Sequence, residues 1–290
     1  MYSGALSAIV TPLRDGEIDE PALRELIEWQ IQNGVDGIVP CGSTGESATL
    51  SHAEHERVIK IAVEQTRKRV PVVAGTGSNS TAEAIRLTSY AREIGADGAL
   101  LVSPYYNRPT QDGIIRHYRA IAQSVSIPLI VYNIPSRTGS LILPETLAQL
   151  ADVPNIVAVK EATGSMDQAS DIRRLCGERL TVLSGDDSLT VPLMALGAKG
   201  VVAVLTNVMP RETHDMAAAA LAGDFARARE MHFKMLPLMR ALFLETNPIP
   251  VKYAVSLMGK CTAEMRMPLT TMSQGPAEKL RGVMKELRLI

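Results

Sequence analysis

Two side chains in this sequence stand where an apolar run gives way to a polar turn. Lys160 follows Ile156-Val157-Ala158-Val159 and precedes Glu161-Ala162-Thr163-Gly164. Four apolar residues, three of them β-branched, form the pattern of a strand buried on both faces, and the glycine closes the loop that the strand runs into. An ammonium at the lip of such a strand loses hydration and its pKa falls. The neutral amine is then a nucleophile able to form an imine with a carbonyl compound. The same position also suits a lysine that snorkels to water or pairs with Glu161. Tyr132 ends the run Pro128-Leu129-Ile130-Val131 in the same way. Its phenol could relay protons across a shared mouth or serve as a half-buried core aromatic. Arg137, within Ile134-Pro135-Ser136-Arg137-Thr138-Gly139, offers a planar cationic fork for a carboxylate, or simply a loop charge.

Three further turns carry polar groups after apolar runs. Cys41-Gly42-Ser43-Thr44-Gly45-Glu46-Ser47 presents two adjacent hydroxyls flanked by glycines, a pattern that suits a carboxylate cradle or an ordinary helix-capping turn. Ser103-Pro104-Tyr105-Tyr106-Asn107-Arg108-Pro109 pairs two tyrosines in a chain with only 4% aromatic residues, which fits interface packing as well as catalysis. Ser184-Gly185-Asp186-Asp187 combines a glycine that permits close backbone approach with acids suited to helix capping.

The elements that must position these turns alternate along the chain. Eight short apolar runs read as strands: 5–10, 37–39, 70–74, 99–102, 128–132, 156–160, 181–184 and 200–204. Amphipathic stretches at 21–32, 52–67, 81–94, 111–125, 145–151 and 166–175 lie between them. Eight βα units predict an α/β fold of the (β/α)8 TIM-barrel type. A doubly wound open sheet competes, but Thr11-Pro12-Leu13 follows the first strand where a glycine-rich phosphate turn would stand. Helical patterns at 211–221, 225–244, 251–258 and 277–287 exceed a minimal barrel. They divide the chain into a catalytic barrel, 1–222, and a C-terminal helical appendage, 223–290, packed on it.

A formal net charge of -1 and a pI near 6.5 recommend neither a nucleic-acid nor an anionic-membrane partner. Cys41, Cys176 and Cys261 are odd in number and widely spaced, which fits a reducing compartment and argues against disulfides or a zinc site. His52 and His55 share a helix start, while His117, His214 and His232 are isolated, so no metal site is expected. The first residues resemble no signal peptide, and no window is long and apolar enough to span a membrane. The expectation is a cytoplasmic protein.

GSTGES at 42–47, SPYYNRP at 103–109, YNIPSRTG at 132–139, KEATG at 160–164, SGDD at 184–187 and NPIPVK at 247–252 together resemble the dihydrodipicolinate synthase family. The likeness runs from the first strand to near the C-terminus, and six motifs in order make it specific. It implies condensation of pyruvate with aspartate 4-semialdehyde on the route to diaminopimelate and lysine, with no cofactor beyond a covalent pyruvate imine on Lys160. By motif position, Tyr132 would shuttle protons through Thr44 and Tyr106, the latter supplied in the family by a neighbouring subunit. Ser43 and Thr44 would bind the pyruvate carboxylate, the Gly185 and Val202 backbones would line the pocket, and Arg137 would receive the semialdehyde. Many family members carry two threonines where this chain has Ser43-Thr44; the serine keeps the donor but turns more freely about χ1.

The resemblance further implies a homotetramer, a dimer of dimers, and a regulatory site for L-lysine. Ser47, Ala48, Leu50, His52, His55, Asn79, Glu83 and Tyr105 occupy the matching positions. Glu83 suits the ligand's ammonium, Asn79 and Tyr105 its carboxylate and His55 its side chain, although exposed helix starts explain the histidines and Glu83 as well. N-acetylneuraminate lyase and the keto-deoxy-sugar-acid aldolases share GSTGE, the tyrosine and the lysine. Arg137 favours a compact charged acceptor over their polyhydroxylated one. A catalytically idle relative is disfavoured by the joint presence of Lys160, Tyr132, Thr44, Tyr106 and Arg137.

Overall fold

A computed structural model describes residues 2–290. Eight parallel strands carry the turns just described: β1 (Gly4–Ala8), β2 (Gly37–Val39), β3 (Val73–Gly75), β4 (Gly98–Val102), β5 (Leu129–Asn133), β6 (Ile156–Glu161), β7 (Thr181–Ser184) and β8 (Gly200–Ala203). They pair in the order β2-β1-β8-β7-β6-β5-β4-β3. A parallel bridge between Ile38 and Val72 joins the two ends, so the sheet closes as a TIM barrel.

Strand periodicity sorts the side chains. Leu6, Val39, Val73, Leu100, Ile130, Tyr132, Ala158, Leu183 and Val202 form one cluster, the barrel interior. Leu101, Leu129, Val131, Val159 and Val182 belong to another, packed against Ile114, Tyr118 and Ile121 of the helix Gln111–Ser124. Each large aliphatic side chain so buried contributes roughly 1.5–3 kcal/mol. Between β5 and β6 the register slips: Leu129 pairs with Ile156, but Ile130 pairs with Ala158. Val157 is the extra residue of this β-bulge, and it resets which face the rest of β6 presents.

The expected elements form, with shifted ends. The third strand was expected from Val70, but Pro71 has no N–H to donate, and its carbonyl instead accepts from Ile38 at 2.9 Å. Twelve helices follow in chain order among the described residues. Five of them start at a side-chain cap: Asp19 accepts from Ala22, Thr110 from Gly113, Ser165 from Gln168 and Asp224 from Arg227, while Ser51 and Glu54 form a reciprocal capping box. A short hairpin, Leu13–Arg14 with Glu17–Ile18, was not foreseen, although Asp15-Gly16 at its tip, both at positive φ, is a recognised hairpin signal.

Past the barrel lie α10 (Phe225–Ala241), α11 (Ile249–Leu257) and α12 (Gln274–Glu286). Met235, Leu238, Val251, Val255, Leu280 and Met284 from these helices share one buried cluster with Leu23, Leu26, Val58 and Ile59 from the barrel's first two helices. The C-terminal region is thus joined to the barrel through a common core.

Candidate active site

Lys160 and Tyr132 stand directly opposite each other in the β5–β6 ladder. Both face the barrel interior because the Val157 bulge shifts β6 by one residue. Lys160 Nζ lies 4.2 Å from the centroid of the Tyr132 ring. The lysine is only 6% exposed, and burial brings its pKa down to about 8, with Arg137 adding to the depression and Asp187 opposing it. At neutral pH roughly a tenth of such an amine is uncharged, against a few parts in ten thousand for an ordinary lysine. Burial likewise pushes the Tyr132 phenol up to about 12, so it is held protonated as a donor.

Glu161 is not the partner of Lys160. Its carboxylate accepts from Asn133 Nδ2 at 3.2 Å and from the Thr163 amide at 2.8 Å. Gly185 lies so close to Lys160 that an added Cβ would meet its Cγ at 3.1 Å and Ala162 Cβ at 2.6 Å. Val202 is buried in the same interior cluster. Asp187 is buried too and accepts from the Val204 and Leu205 amides at 3.2 and 2.8 Å; burial raises its pKa to about 7.

The turn at 41–47 is held in a conformation that non-glycine residues rarely adopt at two points, with Cys41 at φ 57° and Glu46 at φ 55°. Such strain persists only where the surroundings over-determine it. Here they do: Glu46 Oε1 accepts from Lys252 Nζ at 2.6 Å in a fully buried ion pair, and Glu46 Oε2 accepts from the Arg266 amide at 3.3 Å. Within the turn, buried Thr44 accepts at its Oγ1 from Asn247 Nδ2 at 3.0 Å. Arg137 is fixed by the same residue, donating from Nη2 to the Asn247 carbonyl at 2.8 Å.

A cavity of about 500 Å³ reaches from Ser43, Arg137 and Asn247 to His52, His55, Glu83 and Tyr105, with Ser47, Ala48 and Leu50 along its wall. A smaller space of about 40 Å³ lies between Ser43 and Tyr132. Lys160 lines neither the large cavity nor the small space; its Nζ lies behind, against the Tyr132 ring that borders the small space. Glu83 is held by Ser78 and lies 3.2 Å from His52 Nε2. Asn79 does not line the cavity; its Nδ2 donates to the Tyr105 carbonyl at 3.2 Å. His55 turns inward, its Nε2 bonded to the Gly75 carbonyl at 2.7 Å, which assigns the proton to that nitrogen; burial lowers its pKa.

Tyr106 stands apart, 90% exposed and at φ 69°. The hydroxyl relay from Tyr132 through Thr44 to Tyr106 is therefore not assembled from one chain's own residues. Three contributors had been given no part in the site: Asn247 and Lys252, read only as members of a motif, and Asp187, read only as a helix-capping acid. The first two lie in the NPIPVK segment, and no local pattern ties them to a turn some 200 residues earlier. No three His, Cys, Asp or Glu side chains among the described residues gather closely enough to hold a metal ion.

The sequence model of the dihydrodipicolinate synthetase family matches residues 1–287. A 4-hydroxy-tetrahydrodipicolinate synthase of Syntrophus aciditrophicus (strain SB) is 60% identical over 290 residues, covering both chains completely. A chloride-inhibited dihydrodipicolinate synthase from Acinetobacter baumannii, solved in complex with pyruvate, superposes with a TM-score of 0.98 at 44% identity, covering 100% of both chains. The enzyme of Cyanidioschyzon merolae with lysine bound gives 0.97 at 39% identity, over 100% of this chain and 99% of that one. A monomeric dihydrodipicolinate synthase variant gives 0.98 at 40% identity, over 100% of this chain and 98% of that one.

Proposed function

From the premise that the chain belongs to the dihydrodipicolinate synthetase family and is a lyase of that family, we propose that it condenses pyruvate with L-aspartate 4-semialdehyde to 4-hydroxy-tetrahydrodipicolinate through an imine on Lys160. The observation that carries this reading is the buried amine 4.2 Å from the Tyr132 ring, with a pKa lowered to about 8. The neutral amine attacks the keto carbon of pyruvate, and loss of water gives the imine. Removal of a methyl proton then gives the enamine that attacks the aldehyde, and the amine of the former semialdehyde attacks the imine carbon, closing the ring and expelling the Lys160 amine. Tyr132 is placed beside the amine to give and take these protons. Ser43 and Thr44 hold the pyruvate carboxylate, and Gly185 and Val202 shape the pocket around it. Arg137, fixed at the cavity mouth, receives the carboxylate of the semialdehyde. No cofactor enters these steps.

The pyruvate complex of the Acinetobacter baumannii relative supports the donor substrate, and the lysine complex of the Cyanidioschyzon merolae enzyme supports L-lysine as an effector. We assign the effector to the cavity arm lined by Ser47, Ala48, Leu50, His52, His55, Glu83 and Tyr105, with Asn79 behind Tyr105. Tyr106 then completes the relay of a neighbouring copy in a cytoplasmic homotetramer. The test is the condensation assay beside pyruvate release from N-acetylneuraminate and a keto-deoxy-gluconate. Turnover is expected only in the condensation, slowed by millimolar L-lysine. Turnover of a sugar acid alone overturns the acceptor assignment, and rates indifferent to L-lysine overturn the effector site.

A further inference from the structure

We propose that Asn247 is a positioning residue that aims the proton of the Thr44 hydroxyl into the active site. The proposal rests on the function just given, in which Thr44 belongs to the proton relay. Asn247 precedes α11 in the C-terminal region, yet its side chain reaches the turn after β2, where Nδ2 donates to Thr44 Oγ1 at 3.0 Å. A hydroxyl that accepts from one side sends its own proton elsewhere. Thr44 is buried and its hydroxyl meets no acceptor among the described residues, while Ser43, the residue before it, lines the small space that Tyr132 also lines, so the free proton is assigned to that side.

The orientation of the amide is argued by what each alternative would leave unpaired. As it stands, the buried Asn247 Oδ1 has no partner. Turned over, the NH2 group would be stranded instead, with both its N–H donors unmet where now one N–H and the carbonyl oxygen are. Buried carbonyl oxygens without partners are tolerated more often than buried N–H groups. The amide therefore spends its donor on Thr44.

Two further links hold Asn247 to this task. Its carbonyl accepts from Arg137 Nη2 at 2.8 Å, so the residue stands between the relay hydroxyl and the acceptor-binding cation. Five positions on, Lys252 anchors the same segment to the same turn through its buried pair with Glu46 at 2.6 Å. Turn and segment are thus fastened at two points, Thr44–Asn247 and Glu46–Lys252, and Asn247 cannot drift without breaking the second.

A double-mutant cycle in the full-length protein tests this. Asn247→Ala, Thr44→Val and the pair are compared by kcat, by KM for each substrate and by thermal midpoint; Asn247→Asp, nearly isosteric, is added as the variant that reverses the bond. Asn247→Ala is expected to lower kcat roughly tenfold, the scale of one oriented hydrogen bond. KM for the semialdehyde should change little, because Arg137 bonds the backbone and not the side chain. In the Thr44→Val background the same substitution should cost almost nothing further. Asn247→Asp should fall below Asn247→Ala, since a carboxylate draws the Thr44 proton toward itself. Additive losses, or full kcat in Asn247→Asp, overturn the proposal while borohydride trapping of pyruvate by the unaltered protein keeps the parent reading intact. Failure of that trapping overturns both.

Discussion

At Lys160 two influences oppose each other, and their balance decides the chemistry. The Tyr132 ring and buried Asp187 favour the charged amine, while burial and Arg137 favour the neutral one, and burial is the larger influence. The neutral fraction grows as pH rises through about 8, so kcat/KM for pyruvate should climb between about pH 6 and about pH 8 and level off above. A flat profile over that range would contradict a titrating amine. Tyr132→Phe should reduce kcat by roughly two orders of magnitude, the scale usual for a general acid-base group, with the thermal midpoint little changed. A near-normal rate would remove the phenol from the proton path. Both residues were legible in the sequence because each ends an apolar strand run. The bulge at Val157 was not: strict alternation from Ile156 would turn Lys160 to the helix side, and nothing in Ile156-Val157-Ala158-Val159 marks where the phase resets. Asn247 escaped for another reason, since its bond to Thr44 spans 203 positions.

Among the elements, the turn after β2 and the approach to α11 behave as one piece. Two left-handed residues, Cys41 and Glu46, shape the turn, and the Glu46–Lys252 pair holds it from beneath. With the pair out of water, burial of the ammonium acts to lower the Lys252 pKa and the Glu46 carboxylate acts against it. Lys252→Met leaves a buried carboxylate uncompensated and should cost about 3–5 kcal/mol in denaturant unfolding. Glu46→Gln combined with Lys252→Met should recover part of that loss; a single substitution without measurable cost would contradict the clamp. Most helices were readable from their apolar period, as at 52–67, where the helix runs from His52 to Thr66. The contact of α10, α11 and α12 with the barrel's first two helices was not, because an apolar face does not name its partner.

Across the molecule, one cavity of about 500 Å³ reaches from Ser43, Arg137 and Asn247 to the arm assigned to L-lysine, so the proposed acceptor and effector sites share the wall formed by Ser43 and residues 46–50. Tyr106 is exposed on its own chain, and in the proposed relay it would serve a second copy. Sedimentation of the active protein should give a tetramer, and dilution to monomer should abolish turnover. A fully active monomer would contradict the intersubunit relay, a real alternative given the monomeric variant among its structural relatives. The most direct measurement of the central claim is borohydride reduction in the presence of pyruvate, followed by mass spectrometry of peptides. A three-carbon adduct on Lys160 and none in Lys160→Ala is expected; an unmodified Lys160, or an adduct on any other lysine, would contradict an imine at this residue.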